Sequence, residues 1–144
     1  MIHIDIENMQ DEVAVDKRKV RSWANKALKH LDKTEAELSL VICDNNYIKQ
    51  LNKHYLKKDK PTNVISFPQQ EGDGITGNHL GDIVISAERA VDEALKAGIQ
   101  SEERLKQLVI HGICHLCGFN HEDVSKEKVT EMEMKEKEIL SLIA

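Results

Sequence analysis

The segment from Ser101 to His121, SEERLKQLVIHGICHLCGFNH, constrains the fold more than any other. Ser101 stands where an N-cap would open a helix that carries the first two histidines. Each residue of an α-helix turns ~100°, so His111 and His115 lie only ~40° apart around the axis and about one turn apart along it. Their imidazoles can converge on one point. Gly118, at ~20° from His111 on the same arithmetic, can end the helix in a left-handed conformation and turn the chain back. That turn would carry His121 toward the same point.

The remaining 123 residues of the 144 must build a fold around this helix, and 40% of the chain is hydrophobic, enough for one domain spanning residues 1–144. No apolar run approaches the ~20 residues needed to cross a bilayer, and MIHIDIENMQ has neither a basic nor an apolar leader pattern. A cytoplasmic protein with no membrane partner is the expectation. Cys43, Cys114 and Cys117 are an odd count and are expected as reduced thiols. The net charge of -5 argues against a surface coated for nucleic acid but leaves room for a local basic groove.

Periodicity supplies the other elements. IHIDIEN alternates from Ile2 to Ile6 as a half-buried strand does. After Asp16, the residues Val20, Trp23, Ala24, Ala27, Leu28 and Leu31 form the stripe of an amphipathic helix. ELSLVIC is a second strand, and Asp44 caps a helix whose inner face is Ile48, Leu51 and Tyr55. A polar loop from Lys57 to Pro61 leads into a strand from Asn63 to Phe67, stopped by Pro68. QQEGDGITGN reads as a mobile connection, and HLGDIVIS as the fourth strand. Ser86 and Gly98 bracket a further helix, and a last one runs from about Ser125 to Ile143 with Val129, Met132, Ile139 and Ile143 inward. The predicted fold is α+β: a small mixed four-stranded sheet covered by about five helices.

Three imidazoles with a fourth position left for water form a catalytic rather than a structural zinc site, at ~2.0–2.1 Å per ligand. The sequence therefore predicts one Zn²⁺ per chain on His111, His115 and His121. Cys114 and Cys117 form a CxxC, but on a helix they point ~60° and ~120° away from His111, which suits packing better than ligation. Position 112 bears on the reaction class. In the HExxHxxGxxH pattern of zinc peptidases a glutamate after the first histidine is the general base, and here that residue is Gly112. A metal-activated water acting on a phosphodiester has less need of such a base.

Between Lys57 and Lys60 three lysines face one aspartate, giving a local charge of opposite sign to the whole. Lys57, Lys58 and Lys60 are candidate contacts for a polyanion, with Asn63 and Ser66 adding hydrogen-bonding side chains.

HGICHLCGFNH, KDKPTNVISFP and HLGDIVIS together resemble the YbeY family of zinc-dependent endoribonucleases, over nearly the whole chain and in the family's order. The resemblance implies a metal on the three histidines and single-stranded RNA as substrate. It also implies work in 16S rRNA 3′-end maturation and late small-subunit assembly, alongside small-subunit ribosomal proteins and an assembly GTPase. Two positions depart from the family's pattern: Leu56 stands where an arginine usually follows the tyrosine, and Asn120 replaces the aspartate of GYDH.

The resulting expectation is a single-strand-specific endoribonuclease in which a zinc-bound water attacks the phosphodiester and no side-chain base is identifiable. The alternatives are a non-enzymatic, zinc-stabilised ribosome assembly factor and a zinc peptidase-like hydrolase.

Overall fold

A computed structural model describes residues 1–60, 62–69, 79–118 and 126–143. The elements are β1 (His3–Asn8), α1 (Lys17–His30), β2 (Glu37–Cys43), α2 (Asn45–Leu56), β3 (Val64–Pro68), β4 (His79–Ser86), α3 (Ala87–Ala97), α4 (Ser101–Leu116) and α5 (Lys126–Leu142). The sheet order is β1-β2-β4-β3. The pairs β1–β2 and β2–β4 are parallel and β3–β4 is antiparallel, so the expected mixed four-stranded sheet with five helices is what forms. No helix among the described residues is long and apolar enough to cross a membrane.

Side chains alternate across the sheet, and the two faces bury different partners. Ile4, Leu38, Leu40, Ile42, Ile83 and Ile85 share one cluster with residues of α1, α4 and α5, including Trp23, Leu28, Leu108, Ile113 and Ile139. Val84, Ile65 and Cys43 point the other way, into a smaller cluster with Ile48 of α2. The sheet therefore separates α4, which carries the histidines, from α2, which leads into the lysines.

Local chemistry explains most boundaries. Asp16 and Asp44 accept from Arg18 N and Tyr47 N, and Ser86 caps α3 by accepting from Arg89 N. Gly98 closes α3 at φ +70. Three expectations need correcting. The N-cap of α4 is Gln100, without a side-chain hydrogen bond, and Ser101 is already helical. Pro68 does not stop β3 but belongs to it, paired with Gly81, because β3 is an edge strand where a missing N–H is tolerated. Tyr55 does not face inward: it is 58% exposed, with only Ile48 and Asn52 of α2 buried. In α5, Met132, Ile139 and Ile143 are buried as expected. The segment from residue 70 to 78, most of the predicted mobile connection, lies outside the described residues, as do Pro61 and the side chain of Val129.

Gly81 fixes the approach of β3 to β4. Its φ is +144, and a Cβ there would lie 2.2 Å from the Phe67 carbonyl oxygen and 3.1 Å from Leu116 Cδ2 of α4. Only glycine lets the strand pair and the end of the histidine helix close on one another.

Candidate metal centre

Helix α4 presents His111 and His115 on one face, with ring centroids 5.7 Å apart and ring planes inclined by 56°. Two imidazoles sharing one tetrahedral ion at ~2.0–2.1 Å have ring centres roughly 5 Å apart, so this pair needs little adjustment to share one. The helix ends at Leu116, and Gly118 follows at φ +98, the left-handed turn expected of it. His121, the third ligand expected from the sequence, lies outside the described residues, as does Asn120. Among the described residues no three ligating side chains gather into a complete group.

A residue that sequence reasoning missed stands behind His111. Glu136 of α5 places Oε1 2.6 Å from His111 Nδ1. With the carboxylate as acceptor, Nδ1–H donates, and Nε2 is the nitrogen that would face an ion. This is the carboxylate–histidine arrangement that orients metal ligands. A signal was present: Glu136 follows the buried Met132 by four residues and precedes the buried Ile139 by three, so it is a carboxylate on the apolar face of α5.

Gly112 lies against the sheet beneath the histidines. A Cβ at this position would sit 2.9 Å from Ile83 Cγ2 and 3.0 Å from its Cδ1. In the strand register Ile83 pairs with Ser66, so Ser66 shares the α4 face of the sheet. The sequence candidate Ser66 thus falls on the histidine side. Asn63 does too, since it lines an open groove with Arg104, Gln107, His111, Glu136 and Lys137. Its amide is spoken for: Nδ2 lies 3.3 Å from both oxygens of Glu93, which also receives Arg104 Nε at 3.0 Å. Asn63 fixes the wall of the groove through α3. The exposed Lys57, Lys58 and Lys60 follow α2, whose buried Ile48 packs on the other face of the sheet and whose Asn52 holds the Lys60 carbonyl.

The cysteines behave as packing. Burial pushes the Cys114 thiol up to about 12, with the Glu136 carboxylate adding to the effect. Cys43 is likewise pushed up to about 12 by burial, reinforced by Asp44, and Cys117 is raised by burial. A thiol held this high carries a thiolate fraction roughly a thousandfold below that of a free one at neutral pH. Cys43 should therefore resist iodoacetamide in the native protein at pH 8 and react fully in urea; rapid native labelling would contradict its burial. The raised value also sets a sign. This burial is without penalty below pH ~9, and stability falls as pH climbs from there toward ~12, because only the unfolded thiol ionises.

Comparison with known proteins agrees with this architecture. The model of the family described as "Endoribonuclease YbeY" matches residues 5–144. A curated endoribonuclease YbeY of Syntrophotalea carbinolica is 40% identical over 99% of this chain and 95% of its own. One from Aquifex aeolicus is 46% identical over 79% of this chain and 75% of its own. The solution structure of TM1509 from Thermotoga maritima superposes with a TM-score of 0.68 at 25% identity, covering 97% of this chain and 88% of that one. A family match over nearly the full length, on a sheet that backs a paired-histidine helix, means that this chain belongs to the endoribonuclease YbeY family.

Proposed function

We propose that the chain is a zinc-dependent endoribonuclease that cleaves single-stranded ribosomal RNA during 16S 3′-end maturation and late small-subunit assembly, in the cytoplasm. Small-subunit ribosomal proteins and an assembly GTPase would be its neighbours there. The observation that supports this reading is the proximity of the His111 and His115 rings, with Glu136 on His111 Nδ1, in a chain of this family. His121 would complete a set of three nitrogens for one ion.

A bound zinc ion supplies Lewis acidity, polarising a phosphoryl oxygen and acidifying water. The chain's own residues do the rest. Glu136 holds the Nδ1 proton and so sets the tautomer and direction of His111. It is engaged there and is not the general base that Gly112 fails to supply. Ile83 fills the space beside Gly112, which leaves the peptidase alternative without its glutamate. A single-stranded fragment ending at a ribosomal RNA 3′ terminus should be cut internally by the zinc-loaded protein. Chelation should stop the reaction and zinc restore it; an inert fragment, or cleavage indifferent to chelation, would refute the proposal.

The pair formed by Glu136 and His111 has its own test. Glu136→Ala should weaken zinc binding about 10–100-fold in competition with a chelator. Glu136→Gln, whose amide oxygen still accepts from Nδ1–H, should lose less. Equal affinities in all three proteins would mean that the pair only pins α5 to α4.

One observation favours a non-enzymatic assembly factor as a second reading: Leu56 is 49% exposed beside the lysines, where the resemblance places a phosphate-holding arginine. In that case RNA would bind without being cut, and His111→Ala would lower metal content and stability while binding persisted.

A further inference from the structure

At the end of α2 an aromatic ring stands in solvent among lysines. Tyr55 meets Phe67 of β3 edge-on, with centroids 5.4 Å apart, and meets the His54 ring at 4.6 Å. These contacts hold the orientation of the ring while most of it remains exposed. Lys53, Lys57, Lys58 and Lys60 flank it in the chain, and Asp59 is the one acid from Lys53 to Lys60.

The surrounding loop is tied down. Asn52, only 2% exposed, donates Nδ2–H to the Lys60 carbonyl at 2.9 Å and accepts from Lys58 N on its own carbonyl at 3.2 Å. Lys57 takes a left-handed backbone conformation at φ 60. The lysines are therefore set by backbone bonds rather than strung along a free coil.

The edge strand links this patch to the metal centre. In β3, Phe67 meets Tyr55 on the α2 side, and the adjacent Ser66 points to the α4 side, paired with the Ile83 that packs on Gly112. A strand of nucleic acid crossing β3 would meet both faces within a short span.

We infer that Tyr55 is a stacking platform for one base of single-stranded RNA, with Lys57, Lys58 and Lys60 taking the adjoining phosphates. This inference rests on the nuclease reading above. A flat ring left mostly exposed by edge-on contacts, on a lysine-rich segment, suits a strand recognised by stacking and backbone charge rather than by base edges. It also suits Leu56: stacking supplies hold on the strand that a lysine, lacking the guanidinium fork, cannot supply alone. An acidic peptide could pair with the lysines but, unlike RNA, need not present a planar base to the ring.

The test uses fluorescence anisotropy of the full-length zinc-loaded protein with a short oligoadenylate and with an abasic chain of equal length. Tyr55→Ala should weaken oligoadenylate binding roughly tenfold to a hundredfold. Tyr55→Phe should stay close to wild type, and the abasic chain should bind all three proteins alike. Lys58→Ala should weaken both chains and flatten their salt dependence. Unchanged oligoadenylate binding by Tyr55→Ala, or equal losses on both chains, would overturn the platform. Wild type that binds neither chain would overturn the nuclease reading as well, whereas wild type that binds and cleaves while Tyr55→Ala matches it would remove the platform alone.

Discussion

His115→Ala should reduce RNA cleavage to background and abolish retention of zinc through gel filtration. His115 shares a face of α4 with His111, its ring centroid 5.7 Å from that of His111, and is a proposed ligand with it. If His115 is a direct ligand, as proposed, its removal should cost more than the ~10–100-fold that follows loss of a residue merely orienting one. The metal's contribution to folding should disappear with it. At a free zinc concentration about a hundredfold above the dissociation constant, linkage stabilises the wild type by ~2.7 kcal/mol, and the variant should show no zinc-dependent rise in Tm. A variant that keeps one tightly held zinc per chain, or cleaves like wild type, would remove His115 from the site. Cleavage that is equal in both proteins and also survives chelation would instead point to a contaminating nuclease.

Much of the frame was legible because it is local. Period-2 and period-3.6 patterns place the strands and helices, and the caps at Asp44, Ser86 and Gly98 announce themselves by residue type. The spacing of His111 and His115 needs only helix geometry. What periodicity could not yield depends on the third dimension. The contact between Glu136 and His111 joins residues 25 apart in sequence and exists because α5 packs on α4. Tyr55 continues the Ile48–Leu51 stripe, yet α2 runs past its cluster at that end and leaves the ring in water. Pro68 looked like a terminator because a proline cannot donate to a ladder, but at an edge strand its unpaired side faces outward. The opposite placement of the lysines and histidines follows from strand order, which no single segment encodes.

Gly112→Glu should destabilise the protein by more than about 3 kcal/mol in urea unfolding and should confer no peptidase activity. The substitution would recreate the HExxH spelling, and the spelling alone suggests that chemistry would follow. Geometry says otherwise. A Cβ at position 112 already lies 2.9–3.3 Å from three carbons of Ile83, in a helix packed on the sheet, so the added side chain meets the apolar core. A carboxylate there must displace Ile83 or lift α4 away from β4, and neither outcome delivers it to the metal centre. Gly112→Ala should cost less, because overpacking of ~1–3 kcal/mol is offset by the ~1 kcal/mol that alanine gains over glycine inside a helix. Ile83 is the neighbour that must yield, so Ile83→Ala with Gly112→Ala should cost less than the sum of the two single changes. Strict additivity would show that glycine is required at position 112 for some reason other than the approach of α4 to β4. Coupling would tie the missing glutamate to packing: the close seat of α4 on β4, which holds His111 and His115 above the sheet, is incompatible with the residue that peptidase chemistry would need.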